Sequence, residues 1–357
     1  VYPQEDDVKA LFLTRYGYLG ASSRYRVYQY VDYLESEGIK CRIIPFFADT
    51  LISKVSYVTR MLPGALWADV VFLQKVLFRE DYLGVLMRFN DALVFDFDDA
   101  MYAAVESQAE RPGAAQVMEN VRRKLANTLR KSSQVIAAND TLAAFARSYS
   151  DAVTIIPTSI DVQRYPLKSQ GAGNAVVTLG WIGGPGGIYY LDSIKPVFTR
   201  LARRYGGKVR LVLVGVAPDE MGGIEFTARP WRLESEIEDL LSFDIGIMPL
   251  VDSERARGKS SCKAIQYMGV GIPAVCSPVG AAATVVRDGV NGFHATSEEE
   301  WLEKLSLLIE DADLRQEMGR RGRLIAEQEY SIQSNAPRLK AVLETAERNR
   351  HGQSICA

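Results

Sequence analysis

Residues Arg255 to Gly280 read RARGKSSCKAIQYMGVGIPAVCSPVG. Basic and small residues come first, a helix-period stretch ending in glycine follows, and an apolar strand closes the segment. A helix start carries backbone N–H groups with no intrahelical acceptor and the positive end of the helix dipole, so it suits an anion such as a diphosphate. Arg257, Lys259 and Lys263 add full charges there, and the spacing of the two lysines puts them on neighbouring turns at the start of the helix. Gly258 lets a ligand approach the backbone closely. The same residues are equally compatible with a surface loop of scattered cations ahead of an ordinary buried helix.

Outward from this stretch, short apolar runs alternate with helix-period segments, the pattern of βα units that build parallel sheets. Upstream, Ala10 to Thr14, Cys41 to Phe47, Val70 to Gln74, Leu93 to Asp96, Gln134 to Ala138 and Val153 to Pro157 are strand candidates, with helices over Tyr25 to Glu37 and Thr141 to Tyr149. A second series restarts at Ala175 to Trp181 and continues with Val209 to Val214, Ile245 to Pro249 and Pro273 to Ser277. Its helices fall near Tyr190 to Tyr205, Ser261 to Val270 and Glu298 to Asp311, and a charged helical stretch from Asp313 to Ala346 is interrupted near Tyr330 to Pro337. Between the two series, YPLKSQGAGN at Tyr165 to Asn174 has the composition of an exposed connection. The expected organisation is an amino-terminal domain over 1–164, a linker over 165–174, a second domain over 175–330 and a final helix over 331–357 returning to the first domain. A chain of 357 residues has the length for two cores.

The bulk numbers exclude more than they specify. A net charge of -2 gives no global attraction to nucleic acid, so an anionic partner must be met by a local basic cluster. No segment offers the unbroken apolar run of a membrane span, and Val1 to Lys9 do not read as a secretory signal. The cysteines Cys41, Cys262, Cys276 and Cys356 show no metal-ligand spacing, and only His294 and His351 stand beside them, so free thiols in a cytoplasmic protein are expected.

The order Lys263, Gln266, Tyr267, Met268, Gly271, Pro273, Val275, Ser277, Val279, Gly280, followed by Asp288, Gly289, Asn291, Gly292 and Phe293, resembles the donor half of the family 4 glycosyltransferases. IIPTSIDVQRYP at Ile155 to Pro166 is similar to the interdomain segment of that family, and EMGRRGRLIAEQEYS at Glu317 to Ser331 to its closing helix. The resemblance implies an α/β protein of the GT-B type, two facing Rossmann-like domains with an interdomain cleft, that moves a sugar from a nucleotide diphosphate. It further implies retention of anomeric configuration without a metal or cofactor, and a saccharide or lipid-linked acceptor in bacterial surface glycan synthesis. On the donor it places Arg257, Gly258, Lys259, Ser261, Cys262, Lys263, Ala264 and Gln266. The glutamate pair usual around this helix start falls on Gly258 and Gln266; a glutamine still hydrogen-bonds a ribose hydroxyl but gives no charge-assisted bond. A binding protein that no longer transfers a sugar, and a nucleotide-sugar epimerase, are the competing readings.

LGWIGGPGGIYYL at Leu179 to Leu191 holds the glycine turn that contacts donor phosphates in relatives, with Gly183 and Gly184 at its start; a tight strand-to-helix loop is the alternative. In ARPWR, Trp231 stacks on a base or packs in the core. The opening LTRYGYLGASSRYRVYQY puts Gly17 and Gly20 before a helix whose Ser22, Ser23, Arg24 and Arg26 reach a phosphate or an acceptor hydroxyl, or else cap a helix with surface arginines. FDFDDAMY follows the fourth strand, so Asp98 and Asp99 are acceptor-side candidates at the carboxyl end of the sheet. Asp96 and Asp98 also imitate a metal-binding DxD pair, which the downstream match argues against. His294 reads as structural or exposed rather than catalytic, and the helix-like basic stretches Ser53 to Leu66 and Arg122 to Lys131 as solvated faces or a peripheral contact with anionic lipid.

Overall fold

The structure, a computed structural model, describes residues 8–46, 50–105, 111–169 and 176–354. They form two compact units, divided at Ser159/Ile160 and again at Ser331/Ile332.

The first unit is built on β1 (Val8–Thr14), β2 (Ile39–Pro45), β3 (Val70–Gln74), β4 (Leu93–Phe97), β5 (Gln134–Ala137) and β6 (Val153–Ile155). These run parallel in the order β2-β1-β3-β4-β5-β6. β3 and β4 are buried along their whole length, as strands covered by helices on both faces must be. Successive side chains alternate between two cores. Leu11, Leu13, Val71, Leu73 and Phe95 enter one, while Ala10, Phe12, Val70, Phe72 and Val94 enter the other. The second core is closed by the helix Ile332–Ser354, which contributes Ile332, Ala336, Leu339, Val342 and Leu343. Pro337 lies inside that helix and forgoes one backbone bond without ending it, so the interruption read from the sequence shrinks to Tyr330 and Ser331.

The single helix expected over Tyr25 to Glu37 is instead a helix at Ala21–Arg26, a 3-10 turn at Tyr28–Tyr30 and a helix at Val31–Ser36. Val27, at φ -132° and ψ -64°, makes the break. The tighter turn seats both Val27 and Tyr30 in the core beside Phe12.

The second unit carries β7 (Val177–Ile182), β8 (Val209–Val214), β9 (Thr227–Arg229), β10 (Ile245–Met248), β11 (Ala274–Cys276) and β12 (Gly292–His294). They are parallel in the order β12-β11-β10-β7-β8-β9. The strands β9 and β12 are too short to show a period in the sequence. In each sheet the chain reverses its direction of travel once, between β1 and β3 in the first and between β7 and β10 in the second. The crevice beyond the carboxyl ends of such a strand pair is where open α/β sheets bind ligands.

Of the stretch with linker composition, residues 165–168 are docked on the second unit and 170–174 lie outside the described residues. Arg323 donates to the carbonyls of Val162, Tyr165 and Gly269, the N–H of Lys168 donates to the carbonyl of Val270, and the Lys168 ammonium lies 3.0 Å from Asp244. Polar composition misreads this segment because its backbone is held by a distant arginine. No helix among the described residues is long and apolar enough to cross a membrane. The two basic stretches do fall on helices, Leu51–Trp67 and Ala114–Lys131, and Arg122 is tied to the carbonyl of Tyr102 at 2.7 Å.

Glycine is obligatory within β7. A Cβ on Gly180 would fall 1.9 Å from the Phe243 ring. Gly180→Ala is therefore expected to destabilise the second unit by about 1–3 kcal/mol through overpacking. Urea unfolding followed by tryptophan fluorescence reads this, and an unchanged midpoint would mean that the ring moves aside freely.

Candidate functional site

At the carboxyl end of β7 the chain turns through Gly183 and Gly184 into the helix Ile188–Asp192. The turn is clamped from behind. The N–H of Gly183 donates to the carbonyl of Val214, and Gly215, at φ 85°, is packed so closely that a Cβ there would lie 1.9 Å from the Gly183 carbonyl oxygen. Beneath the turn lies the indole of Trp181; a Cβ on Gly183 would sit 2.5 Å from that ring and 2.8 Å from Cε of Lys263. Glycine at 183 is what lets the lysine lie against the turn. Nothing stands within 4 Å of a Cβ on Gly184, so this side is open.

Lys263 belongs to the first turn of the helix Cys262–Gly269, with Nζ 5.1 Å from the centroid of the Trp181 ring. Lys259 places Nζ 5.3 Å from the ring centroid of Tyr190. It does not stand on a neighbouring turn of the same helix, as its spacing suggested, but in the loop between the helices Glu254–Arg257 and Cys262–Gly269. Both cations rest on aromatic faces, an arrangement that steadies an ammonium without neutralising it. Burial, followed by repulsion from Lys259, pulls the Lys263 ammonium down to about 8.

Between the lysines, Ser261 is in the left-handed region at φ 57° and ψ 29° and is buried, and its Oγ finds no hydrogen-bond partner. The helix after it has no side-chain cap, and its first backbone bond runs from the N–H of Ile265 to the carbonyl of Ser261. The N–H groups of Cys262, Lys263 and Ala264 thus have no intrahelical acceptor. The Ala264 side chain is fully buried, so only its backbone is offered, and Gln266 is buried as well.

Three further donor-side candidates are Arg257, Gly258 and Trp231. Arg257 is exposed and forms a two-pronged ion pair with Asp252 at 2.7 and 2.9 Å, so its charge is answered away from the lysines. Gly258 caps the preceding helix at φ -84°, a conformation open to any residue, so the backbone does not require glycine there. Trp231 donates Nε1 to Glu236 at 2.9 Å, and its Cβ would lie 3.5 Å from a Cβ on Gly215. It follows β9 and stands behind the turn of Gly183.

In the first unit the corresponding edge is a polar network. Gly20 is the N-cap of the helix Ala21–Arg26, and a Cβ there would fall 2.3 Å from Cβ of Tyr16. Ser22 and Ser23 lie inside the helix rather than capping it. Ser22 donates to Oδ1 of Asp98 at 2.7 Å and Ser23 to Gln74 at 2.6 Å, while Gln74 donates back to Ser22 at 2.9 Å. The arginines are not on the surface: Arg24 is buried with its guanidinium 4.8 Å from the centroid of the Tyr25 ring, and Arg26 is buried against Asp96 and the carbonyl of Ile156. Asp98 and Asp99 follow β4 directly, and Lys75, which follows β3, brings Nζ to 2.9 Å from Oδ1 of Asp98.

Asp96 is thus an interior partner of Arg26, not half of an open DxD pair. Among the described residues no group of three or more acidic, histidine or cysteine side chains is placed to hold a metal. His294 is structural, with Nε2 2.6 Å from the carbonyl oxygen of Val286. Trp181, Tyr190, Gly215, Gln74 and Lys75 escaped the sequence reading. The aromatic LGWIGGPGGIYYL segment carried a signal for the first two; nothing in the sequence marks Lys75.

Residues 174–311 match the family described as glycosyl transferases group 1. D-inositol 3-phosphate glycosyltransferase of Nocardia farcinica is 25% identical over 326 residues, covering 81% of this chain and 68% of that protein. Over residues 174–311 the chain thus carries the sequence pattern of the group 1 glycosyltransferases. Its GT-B fold is shared with HepE of Anabaena, solved with UDP and glucose, at a TM-score of 0.66 and 14% identity over 95% of this chain and all 100% of that one. It is shared too with sucrose-phosphate synthase of Thermosynechococcus elongatus, at a TM-score of 0.66 and 13% identity over 94% and 98% of the two chains.

The lysine pair gives a direct electrostatic test. NMR of 13C-methylated lysines should show Lys263 titrating with a midpoint of about 8, and Lys259→Ala should move that midpoint upward by removing the charge that, after burial, does most to depress it. A midpoint unmoved by the substitution would assign the depression to burial alone.

Proposed function

We propose that this chain is a family 4 glycosyltransferase that binds the diphosphate of a nucleotide sugar at the carboxyl edge of β7 and transfers the sugar, with retention, to a saccharide or lipid-linked acceptor. The observation that carries the reading is the Lys263 ammonium held over Trp181 at an uncapped helix start, against the open turn of Gly183 and Gly184. Two lysines and three backbone N–H groups meet the charge of a diphosphate, and Ser261 Oγ adds a hydroxyl. UDP is the nucleotide of choice for a first trial, since HepE was solved with UDP and with UDP-glucose. Trp231 and Gln266 are assigned to the base and the ribose.

In the transfer, the bond between the anomeric carbon and the diphosphate oxygen breaks while the acceptor oxygen bonds the same carbon from the same face. The acceptor proton passes to the leaving phosphate. Charge developing on that phosphate is met by Lys259, Lys263 and the helix start, a preorganised set of donors that costs little to rearrange. Asp98 and Asp99 are assigned to hydroxyls of the acceptor, at the carboxyl edge of the first sheet. A cytoplasmic place of action, with peripheral contact to a membrane when the acceptor is lipid-linked, accompanies this reading.

A binding protein without transfer is the second reading, favoured by Gly258 and Gln266 where relatives carry glutamates. A thermal-shift screen of nucleoside diphosphates, followed by assays of transfer and donor hydrolysis with the matching nucleotide sugars, separates the two. Binding with neither transfer nor hydrolysis supports the second.

Lys259→Ala and Lys263→Ala are each expected to lower turnover at least tenfold, about 1.4 kcal/mol in barrier. Unchanged turnover in either variant removes that lysine from the site.

Transfer should also persist in EDTA, because the charge on the leaving group is met by protein cations. Loss on chelation with recovery in magnesium or manganese would return Asp98 to the role of metal ligand.

A further inference from the structure

We propose that Lys75 is a positioning residue of the acceptor side: it fixes the Asp98 carboxylate at the carboxyl edge of the first sheet and leaves one carboxylate oxygen to accept from a hydroxyl of the acceptor. This deepens the functional reading above and rests on Asp98 as an acceptor-side group.

Lys75 has a left-handed backbone at φ 55°, a region that side chains with a Cβ adopt at a cost. Such outliers persist where the surroundings hold them, and they gather at functional sites. Here the N–H of Lys75 donates to the carbonyl of Asp96 at 2.9 Å, which turns the residue back over the end of β4. The place is the point where the first sheet reverses direction, between β1 and β3, the crevice that open α/β sheets use for ligands.

Lys75 Nζ and Ser22 Oγ both contact Oδ1 of Asp98, at 2.9 and 2.7 Å. Oδ2 is left to accept from a substrate hydroxyl. The charged and titratable groups facing the pair are Arg26 from the helix Ala21–Arg26, Asp96 from β4, Asp99 beside Asp98, and Tyr16 from the loop after β1. Burial alone would raise Asp98, but Lys75 foremost, then Arg26, hold it below the usual carboxylate range. Asp98 thereby stays ionised, an acceptor of hydrogen bonds only. Arg26 cannot replace Lys75 in this, because its guanidinium is committed to Asp96 and to the carbonyl of Ile156.

The test follows the Asp98 carboxylate by 13C NMR, assigned with Asp98→Asn, in the whole protein and in Lys75→Met, Lys75→Gln and Lys75→Arg. Met and Gln should raise the Asp98 titration midpoint by about one to three pH units, the range for loss of one adjacent opposite charge, and Arg should restore it. The acid limb of turnover, measured with the nucleotide sugar identified by the screen above, should move by the same amount. A midpoint unmoved in whichever of the Met and Gln variants stays folded overturns the proposal, as does an acid limb that stays in place while the midpoint shifts. Full turnover in Asp98→Asn would instead overturn the reading of Asp98 and leave the electrostatic hold of Lys75 standing, so the two failures are distinct.

Discussion

The first unit depends on the buried pair between Arg26 and Asp96. A charge taken out of water is tolerated only when it is paired and its remaining hydrogen-bonding positions are filled. Arg26 meets that condition by reaching both oxygens of Asp96 and the carbonyl of Ile156. Three pieces distant in sequence, the first helix, β4 and the segment after β6, are thereby joined at one point. The polar groups at that edge of the sheet lie on the same pieces of chain: Ser22 and Ser23 on the helix and Asp98 two residues beyond Asp96, with Gln74 at the end of β3 and Lys75 after it joined to them. Burial pushes the Asp96 carboxyl upward and Arg26 opposes it, and the bonds from the guanidinium to both carboxylate oxygens fix the geometry of the pair.

The second unit reaches a comparable order through absence of side chains. Gly180, Gly183 and Gly246 are places where a methyl group would strike Phe243, Trp181 or Tyr267. Removing those methyls lets aromatic rings lie flat under the strands and the turn, and the ring of Trp181 then becomes the floor on which Lys263 rests. The placement of Lys263 thus comes from packing, while Arg257 is held by an exposed ion pair with Asp252.

Much of this was legible in the sequence where one signal dominated. The alternation of apolar runs and helical periods gave ten of the strands close to their final places, and the basic stretch before Cys262 marked the helix start that the structure leaves uncapped. Side-chain direction was not legible. Arg24 and Arg26 look like surface charges in SSRYRVYQY because nothing local reveals that Asp96, seventy positions later, faces one of them. Lys75 was passed over for the same reason, its partner being fixed by the pairing of β3 with β4 rather than by proximity in the chain. Arg257 failed in the opposite direction, since its neighbour Asp252 was visible but a local ion pair carries no mark in a composition of mixed charge.

The bridge between Ile160 and Ser331, with the N–H of Ile160 donating to the carbonyl of Tyr330 at 2.9 Å, brings the two ends of the second unit side by side. In terms of chain architecture, residues Ile160–Ser331 are a closed cassette inserted into a parent fold whose own sequence resumes at Ile332. A segment with adjacent ends can be exchanged between parent folds, or its ends joined and reopened elsewhere, without stretching the chain at either junction.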